Sequence, residues 1–195
     1  MNNINSIIGA VSGRLWLAFI LLWLFWGAIT NRQRAVVVRK TRNVVLIWWV
    51  VLIVELYISY TGAFHHLLAH GLWPGSLPAM EAGFVLELLG MGFAIWARGY
   101  LGSYWSSDVI LRDGQHVVST GPYRLVRHPI YSGILLAMLG SFLMAGEILW
   151  IVILAEYAVY VGFKAFYEER LLTREMGDEY VRYRSRTHML IPWLL

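Results

Sequence analysis

Five long apolar runs set the strongest limit on how this chain can fold. They cover residues 15–29, 44–63, 79–100, 130–145 and 148–166. A helix needs about 20 apolar residues to cross the hydrocarbon core of a bilayer. Hydrophobic residues make up 58% of the sequence and charged residues 14%, whereas soluble chains average about 45–50% and about 25%. The sequence therefore predicts an all-α integral membrane protein with about five transmembrane helices.

The first and last apolar runs need separate interpretation. A cleavable signal peptide is the alternative for residues 15–29, but no small-x-small cleavage motif follows, and Arg32 and Arg34 come directly after the run. We expect this helix to be retained. Only Gly146 and Glu147 separate the last two runs, and so short a link predicts an antiparallel helical hairpin.

Basic residues are concentrated in the loop 31–43, in the polar connector 108–127 and in the segment from Phe166 to Arg186. We expect this last segment to leave the bilayer as a surface helix. Five spans place all three on one side of the membrane, which the positive-inside rule assigns to the cytoplasm. The connector 64–78 and the Gly146 turn lie on the opposite side. A nucleic-acid patch fits segment 31–43 poorly, because apolar runs flank it closely. We expect one membrane domain over residues 1–195, with three spans in 1–107 and the chemistry in 108–195.

Two short patterns in the apolar half have structural explanations. His66 and His70 have the four-residue spacing of zinc ligands, but no acid or thiol nearby completes the ligand set. The chain has no cysteine at all. An interfacial turn is the alternative. Gly90 and Gly92 lie in an apolar helix without a preceding strand, so close helix packing explains them better than a dinucleotide fingerprint.

Ionisable residues recur every four positions along the last apolar run, at Glu156, Tyr160, Lys164 and Glu168. This spacing places them on one stripe of a helix. Ionisable groups near lipid usually face a bundle interior and mark functional sites. The alternative is that Lys164 extends to the headgroups while its stem stays in the apolar layer. The spacing leaves both interpretations open.

A second group of polar residues begins the fourth apolar run. Pro129 suits the first turn of a helix, because its missing N–H is not needed there. Arg127 and His128 would then stand at a helix N-terminus, which favours negative charge. They could hold a carboxylate of a ligand. An arginine anchored on lipid phosphate beside a capping histidine is the alternative.

Three motifs follow one another in the polar half of the chain. They are Gly121-Pro122-Tyr123-x3-Arg127-His128-Pro129-x-Tyr131-x-Gly133, then Glu168-Glu169-x-Leu171-Leu172, then Gly177-x-Glu179-Tyr180. In this order and spacing, residues 108–192 resemble the isoprenylcysteine carboxyl methyltransferase family and its phospholipid methyltransferase relatives. The first hundred residues match only as generic spans.

The resemblance implies an integral membrane methyltransferase that uses S-adenosylmethionine and releases S-adenosylhomocysteine. The polar connector 108–127 and the C-terminal helix would enclose the cofactor at the cytoplasmic face, with no metal and no nucleic acid involved. Arg127, Lys164 and Glu168 would be the catalytic residues, and Lys164 stands where the family has an arginine associated with the methyl-accepting group. Carried over by position, the cofactor-binding residues would be Ile110, Gln115, Val117, Val118, Tyr123, His128, Pro129, Tyr131 and Glu168.

The resemblance also defines the competing functions. A lipid-like acceptor is implied, above all the carboxylate of an isoprenylcysteine. A phospholipid amine is the alternative, and it would need a base such as Glu156 or Glu168. A nicotinamide-dependent membrane reductase with a similar C-terminal region is a second class, and a non-enzymatic scaffold is a third. The methyltransferase hypothesis requires Tyr131 and Glu168 to lie within reach of one ligand.

Overall fold

The computed structural model describes residues 2–30, 35–39, 50, 54, 72–73, 76–105, 109–112 and 116–192. Its helices are α1 (Asn2–Thr30), α2 (Leu77–Leu101), α3 (Pro129–Ala145), α4 (Ile148–Met176) and α5 (Asp178–Arg184). Two short strands are β1 (Ala35–Arg39) and β2 (Val109–Arg112), and single 3-10 turns cover Gly102–Tyr104 and Gly121–Arg124. The predicted second span, 44–63, and the histidines His66 and His70 lie outside the described residues.

The predicted helical membrane fold is confirmed, with the short β1–β2 pair as the one departure among the described residues. Among the described residues, three helices are long and apolar enough to cross a membrane, over Ile4–Ile29, Leu77–Tyr104 and Ile148–Met176. Helix α3 is apolar but has only 17 residues. Gly146 ends it in the left-handed conformation, with φ of 64°, which glycine adopts without steric cost. The chain then enters α4, so the predicted hairpin is also confirmed.

Helices α2 and α3 form the most extensive helix contact in the described part of the chain. A Cβ atom on Gly90 of α2 would lie 2.3 Å from the backbone nitrogen of Ala137, and one on Gly133 of α3 would lie 2.7 Å from that of Ala94. Only residues without side chains allow two helix backbones to approach so closely. The packing role predicted for Gly90 is confirmed, whereas Gly92 faces open space.

Helix α1 joins this pair through a buried polar cluster. Glu87 of α2 is completely buried, and its Oε2 accepts hydrogen bonds from Ser12 Oγ at 2.8 Å and Ser141 Oγ at 2.8 Å. Trp16 Nε1 lies 3.2 Å from the same oxygen. In an apolar bundle such groups must find partners inside the protein, because no water is available. The cluster therefore ties α1, α2 and α3 together.

The two ends of the bundle carry the segments that the topology prediction grouped. Strands β1 and β2 pair antiparallel, with Val38 opposite Ile110, which brings residues 35–39 and 109–112 together at one end. At the other end, Leu72 N–H donates to the carbonyl oxygen of Gly146 at 2.7 Å. The grouping is confirmed, and the cytoplasmic assignment stays a prediction.

Two local features differ from the sequence prediction. Residues 35–39 were expected to be part of a loop but form strand β1, because the edge of β2 supplies their hydrogen-bond partners. The chain was expected to change into a surface helix near Phe166, but α4 continues unbroken to Met176. Gly177, with φ of 56°, separates it from α5.

Candidate active site

Two segments that are distant in sequence meet where α3 begins. The Tyr131 hydroxyl, in the first turn of α3, donates to Glu168 Oε1 on α4 at 2.7 Å. His128, which precedes α3, places its Nδ1 3.3 Å from Glu168 Oε2. The predicted proximity of Tyr131 and Glu168 is confirmed by this contact. One ligand can therefore contact both motifs, the one at the start of α3 and the one on α4.

His128 lies between two carboxylates. Its ring is 8% exposed and stacks on the Tyr131 ring at a centroid distance of 5.4 Å. Its Nε2 is 3.5 Å from Glu169 Oε1, without a hydrogen-bond partner among the described residues. Burial opposes the charged imidazole, but hydrogen bonds and charge from Glu168 and Glu169 outweigh it, so the pKa of His128 is raised. The charged imidazole is therefore stabilised relative to that of an ordinary histidine.

Glu169 links α4 to the C-terminal segment. Arg127 Nε donates to Glu169 Oε1 at 2.6 Å, and these two side chains are only 9% and 6% exposed. Arg184 Nε lies 3.3 Å from Glu169 Oε2. Arg127 Nη1 also donates to the carbonyl oxygens of Arg184 and Thr187. Arg127, predicted to face a ligand carboxylate, thus has a carboxylate partner inside the protein.

The C-terminal segment covers the beginning of α3. The backbone N–H groups of Arg127 and His128 donate to the carbonyl oxygens of His188 and Met189 at 2.8 Å and 3.1 Å. Ser132 Oγ donates to the carbonyl oxygen of Leu190 at 2.5 Å. The backbone N–H groups that directly precede α3 therefore hold this segment in place.

Lys164 is the third predicted catalytic residue, and it lies one helical turn before Glu168. Its Nζ is 5.5 Å from the centroid of the Tyr131 ring, which is cation–π distance. Lys164 and Tyr131 are both half-buried. The stripe predicted along α4 thus places Lys164 and Glu168 around the same tyrosine.

A cleft opens beside these residues, and Arg127 borders it. Tyr183, in α5, donates through its hydroxyl to the carbonyl oxygen of Tyr123 at 2.7 Å. The Val117 N–H donates to Glu179 Oε1 at 3.3 Å. The enclosed part of the cleft amounts to about 70 Å³. It is lined by Leu101, His116, Val117, Val118, Tyr123, Arg127, Leu172, Met176, Tyr180 and Tyr183.

The predicted site residues are therefore distributed over two adjoining places. The polar cluster is formed by Tyr131, His128, Lys164 and Glu168. The predicted residues Val117, Val118 and Tyr123 line the cleft. Pro129 is buried as the first residue of α3. Ile110 is described only as part of the β2 backbone, and Gln115 lies outside the described residues.

Sequence reasoning missed several residues that complete the site. Glu169 was recognised only as part of a motif, although its adjacency to Glu168 was a usable sign. Arg184 and Tyr183 were overlooked because their contacts depend on how α5 turns back after Gly177. Tyr180 is buried against the same cleft.

Comparison with known proteins places this arrangement in a family. The sequence profile described as Phospholipid methyltransferase matches residues 78–179, which include α2, α3 and the acidic pair on α4. The chain belongs to the phospholipid methyltransferase family. The match begins in α2 and ends within α5, so it covers α3 and the part of α4 that carries the acidic pair, but not the C-terminal segment.

Relatives of this family member carry more specific names. Methanethiol S-methyltransferase 1 of Bradyrhizobium diazoefficiens is 43% identical over 72 residues, which are 36% of this chain and 24% of that protein. Methanethiol S-methyltransferase of Mycobacterium tuberculosis is 39% identical over 72 residues, covering 36% of this chain and 28% of the relative. The chain matches only about a quarter of the length of these curated relatives.

The fold of this family member also has a solved counterpart. The structure of the eukaryotic intramembrane Ras methyltransferase ICMT (isoprenylcysteine carboxyl methyltransferase) superposes with a TM-score of 0.55 at 21% identity. The match covers 80% of this chain and 54% of that chain. Together with the three apolar helices, this shared fold makes the chain an integral membrane protein.

Proposed function

We propose that the protein is an S-adenosylmethionine-dependent methyltransferase that works at the cytoplasmic surface of the membrane. The observation that carries the proposal is the 2.7 Å hydrogen bond between Tyr131 and Glu168, formed beside the cleft. It joins the two motifs in which the family resemblance is strongest. Residues 1–107 then serve mainly as the membrane anchor, and residues 108–195 bind the cofactor and carry out the chemistry.

The residues present fit the chemical parts of this cofactor. An adenosyl group needs apolar and aromatic cover, which Val117, Val118 and Tyr123 offer in the cleft. An amino-acid moiety needs polar partners, and the Glu168 carboxylate and the unpartnered buried Nε2 of His128 provide them. When bound, the cofactor supplies an electrophilic methyl group on a sulfonium.

The size of the cleft indicates that it must widen to bind a nucleoside. Its enclosed volume of about 70 Å³ is well below the ~300–1,000 Å³ of typical small-molecule sites. Part of its wall belongs to α5, which follows the Gly177 break and is only seven residues long. We expect α5 to move outward when ligand enters, while α3 and α4 keep their positions.

The protein's own contribution is chiefly positioning and exclusion of water. His128 and Tyr131 are fixed by the first turn of α3, and Glu168 is fixed by α4. Groups held on two packed helices stay in one geometry, which lowers the entropic cost of reaching the transition state. The C-terminal segment covers the start of α3 and restricts water there, which strengthens electrostatic interactions in the site.

The acceptor that the sequence resemblance favours is the carboxylate of an isoprenylcysteine-type lipid. Lys164 supports it, because its ammonium group lies beside Tyr131 and could face an anionic acceptor. A lysine is a point charge and cannot form the two-pronged contact that arginine makes with a carboxylate. This difference weakens the preference for a carboxylate.

A thiol is the second candidate acceptor. The curated relatives at 43% and 39% identity are named methanethiol S-methyltransferases, and a thiol needs no bidentate partner. A phospholipid amine is compatible with the description of the family. Each of these acceptors must lose a proton, whereas a carboxylate must not.

Cofactor binding is tested by calorimetry in detergent with S-adenosylhomocysteine. Glu168→Gln removes the negative charge that Tyr131 and His128 contact, and we expect its affinity to fall at least tenfold. Glu175→Gln is the matched control, because Glu175 is exposed on the same helix and lies outside the cluster. Equal affinity in the two variants would reject the assigned role of Glu168.

The acceptor is tested with methyl-labelled cofactor and three probes: N-acetyl-S-farnesylcysteine, decanethiol and phosphatidylethanolamine. Label released by mild base identifies an ester, whereas a thioether or a methylamine keeps its label. Absence of transfer to all three, combined with quenching of nicotinamide fluorescence by the protein, would favour the reductase alternative.

A further inference from the structure

We propose that Arg98 is a positioning residue for the cleft, and that helix α1 holds it in place with two tryptophans. Arg98 lies in the last turn of α2 and is completely buried. The cleft wall includes Leu101 and Tyr123 but not Arg98, so Arg98 acts on a ligand through these two residues. The inference rests on the proposed function, because it concerns the affinity of the cleft for the cofactor, and it gives α1 a role beyond anchoring.

Three tryptophan rings surround the Arg98 guanidinium. Its central carbon lies 3.6 Å from the ring centroid of Trp105, 4.9 Å from that of Trp26 and 5.8 Å from that of Trp23, which are cation–π distances. Trp23 and Trp26 lie on α1, whereas Trp105 directly follows the 3-10 turn after α2. A buried charge is costly unless its surroundings stabilise it. This tryptophan cage therefore stabilises the guanidinium and joins α1 to the end of α2.

The turn after α2 is built around the same arginine. Arg98 Nη1 donates to the carbonyl oxygen of Gly102 at 3.2 Å, and the Gly102 N–H donates to the carbonyl oxygen of Arg98. Gly102 has a φ of 56°, which glycine adopts without steric cost. The Trp105 N–H donates to the carbonyl oxygen of Gly102 at 3.3 Å. The turn therefore brings the Trp105 ring back onto the guanidinium.

The end of α2 also forms one wall of the cleft. Leu101 lines the cleft. The carbonyl oxygen of Ala97, one helical turn earlier, accepts a hydrogen bond from the Tyr123 hydroxyl at 3.4 Å. Ala97 and Tyr123 belong to a buried apolar cluster, against which Leu101, Trp23 and Trp105 pack. The cage and the cleft therefore share one packed cluster, and a shift of the end of α2 changes both.

The positive charge of Arg98 also acts on the cleft wall. Burial is the largest cause that raises the pKa of the Tyr123 hydroxyl, and the charges of Tyr183 and Glu168 add to it. The Arg98 guanidinium acts on this pKa in the opposite direction. Because arginine stays charged at every pH that a folded protein tolerates, this influence is permanent. Arg98 therefore acts on Tyr123 electrostatically as well as through the packing of α2.

The first test compares Arg98→Met with Arg98→Lys by calorimetry of S-adenosylhomocysteine binding in lipid nanodiscs. Replacing a buried charge by an apolar residue of similar volume is often neutral or stabilising, so we expect Arg98→Met to fold. We expect its affinity to fall by about tenfold, or about 1.4 kcal/mol. Lysine keeps the charge and the cation–π contacts, so Arg98→Lys should stay within about threefold of wild type.

Arg174→Met is the matched control, because the Arg174 side chain is 84% exposed on α4, and we expect it to bind like wild type. Wild-type affinity in Arg98→Met would show that the cleft does not depend on Arg98 and would overturn the inference. An equal loss in Arg98→Lys and Arg98→Met would overturn the cation–π account of how the arginine is held.

The second test leaves Arg98 in place and observes α1 directly. The protein is labelled with 5-fluorotryptophan, and the 19F signals of Trp26 and Trp150 are assigned by their loss in Trp26→Phe and Trp150→Phe. Trp26 meets Arg98 from α1, whereas Trp150 lies in the first turn of α4, at the other end of the bundle. We expect saturating S-adenosylhomocysteine to shift the Trp26 signal and not the Trp150 signal. A stationary Trp26 signal would mean that cage and cleft are not coupled.

A measurement without ligand separates this inference from the proposed function. We expect hydrogen exchange of residues 121–127 to be about tenfold faster in Arg98→Met than in wild type, because the wall of the cleft opens locally more often. If wild-type protein does not bind S-adenosylhomocysteine but this difference is seen, the proposed function fails and Arg98 still positions the cleft wall. If wild-type protein binds and Arg98→Met matches it in both exchange and affinity, the inference fails alone.

Discussion

The contact between α2 and α3 makes a sharp prediction at Gly90. A Cβ atom there would lie 2.3 Å from the backbone nitrogen of Ala137 and 2.5 Å from the carbonyl oxygen of Gly133, whereas ordinary Cβ contacts begin at 3.4 Å. The obstacle is backbone, which cannot rotate away as a side chain can. Gly90→Ala must therefore push the two helices apart by about 1 Å, which is strain of the overpacking kind.

Gly92 provides the matched control, because it lies on the same helix with nothing within 4 Å of an added Cβ. Both alanine variants gain about 1 kcal/mol of helix propensity, a value measured in soluble peptides. Gly90→Ala alone loses about 1–3 kcal/mol to overpacking. We therefore expect Gly92→Ala to be the more stable variant by about 1–3 kcal/mol.

The assay is equilibrium unfolding of both variants in the same mixed-micelle system, followed by tryptophan fluorescence. A second readout is the affinity for S-adenosylhomocysteine, since α3 carries His128 and Tyr131 into the site. Equal stability of Gly90→Ala and Gly92→Ala would refute the close backbone contact between α2 and α3.

Two further predictions concern buried charge. Glu87→Ala should destabilise the bundle by about 1–3 kcal/mol, because it removes the acceptor of the buried Ser12 hydroxyl. Glu81→Ala at an exposed position should change unfolding by less than about 0.5 kcal/mol. The raised pKa of His128 means that its ion-pair contribution is complete below the ordinary histidine value and is lost as pH rises through the folded value. Stability should therefore fall as pH rises from the ordinary histidine value to the folded pKa and level off above it. When unfolding is measured as a function of pH, this decline should disappear in His128→Gln but persist in His116→Gln.

Hydropathy and hairpin geometry predicted much of this arrangement. Reflecting the chain through the Gly146 turn places the start of α3 level with Lys164 on α4. The same reflection places Tyr131 level with Gly162, less than two turns before Glu168, and in the structure the two side chains are joined by a hydrogen bond. The contact between the polar connector 108–127 and the C-terminal segment depends only on positions along the helices and not on how each helix is rotated about its axis. It could therefore be predicted from the sequence alone.

Other parts of the site depend on contacts that leave no periodic pattern. Glu168 and Glu169 differ by about 100° around a helix, yet both reach His128 because the ring lies between them. The C-terminal segment is held by backbone carbonyls of His188 and Met189, which any residue type could supply. Strand β1 did carry a sign, since three consecutive valines at 36–38 favour a strand.

The lengths of the helices explain why the acidic pair lies near the edge of the apolar layer. Helix α4 has 29 residues, or about 44 Å at about 1.5 Å per residue, whereas the hydrocarbon core is about 30 Å thick. About 20 residues counted from Ile148 cross that layer, so Glu168 and Glu169 come directly after it. Helix α3 has only 17 residues, so the same layer ends close to His128. The excess length of α4 carries its acids beyond the apolar layer. There the C-terminal segment supplies Arg184, and the two hydrophobic helices together hold a polar site at the bilayer surface.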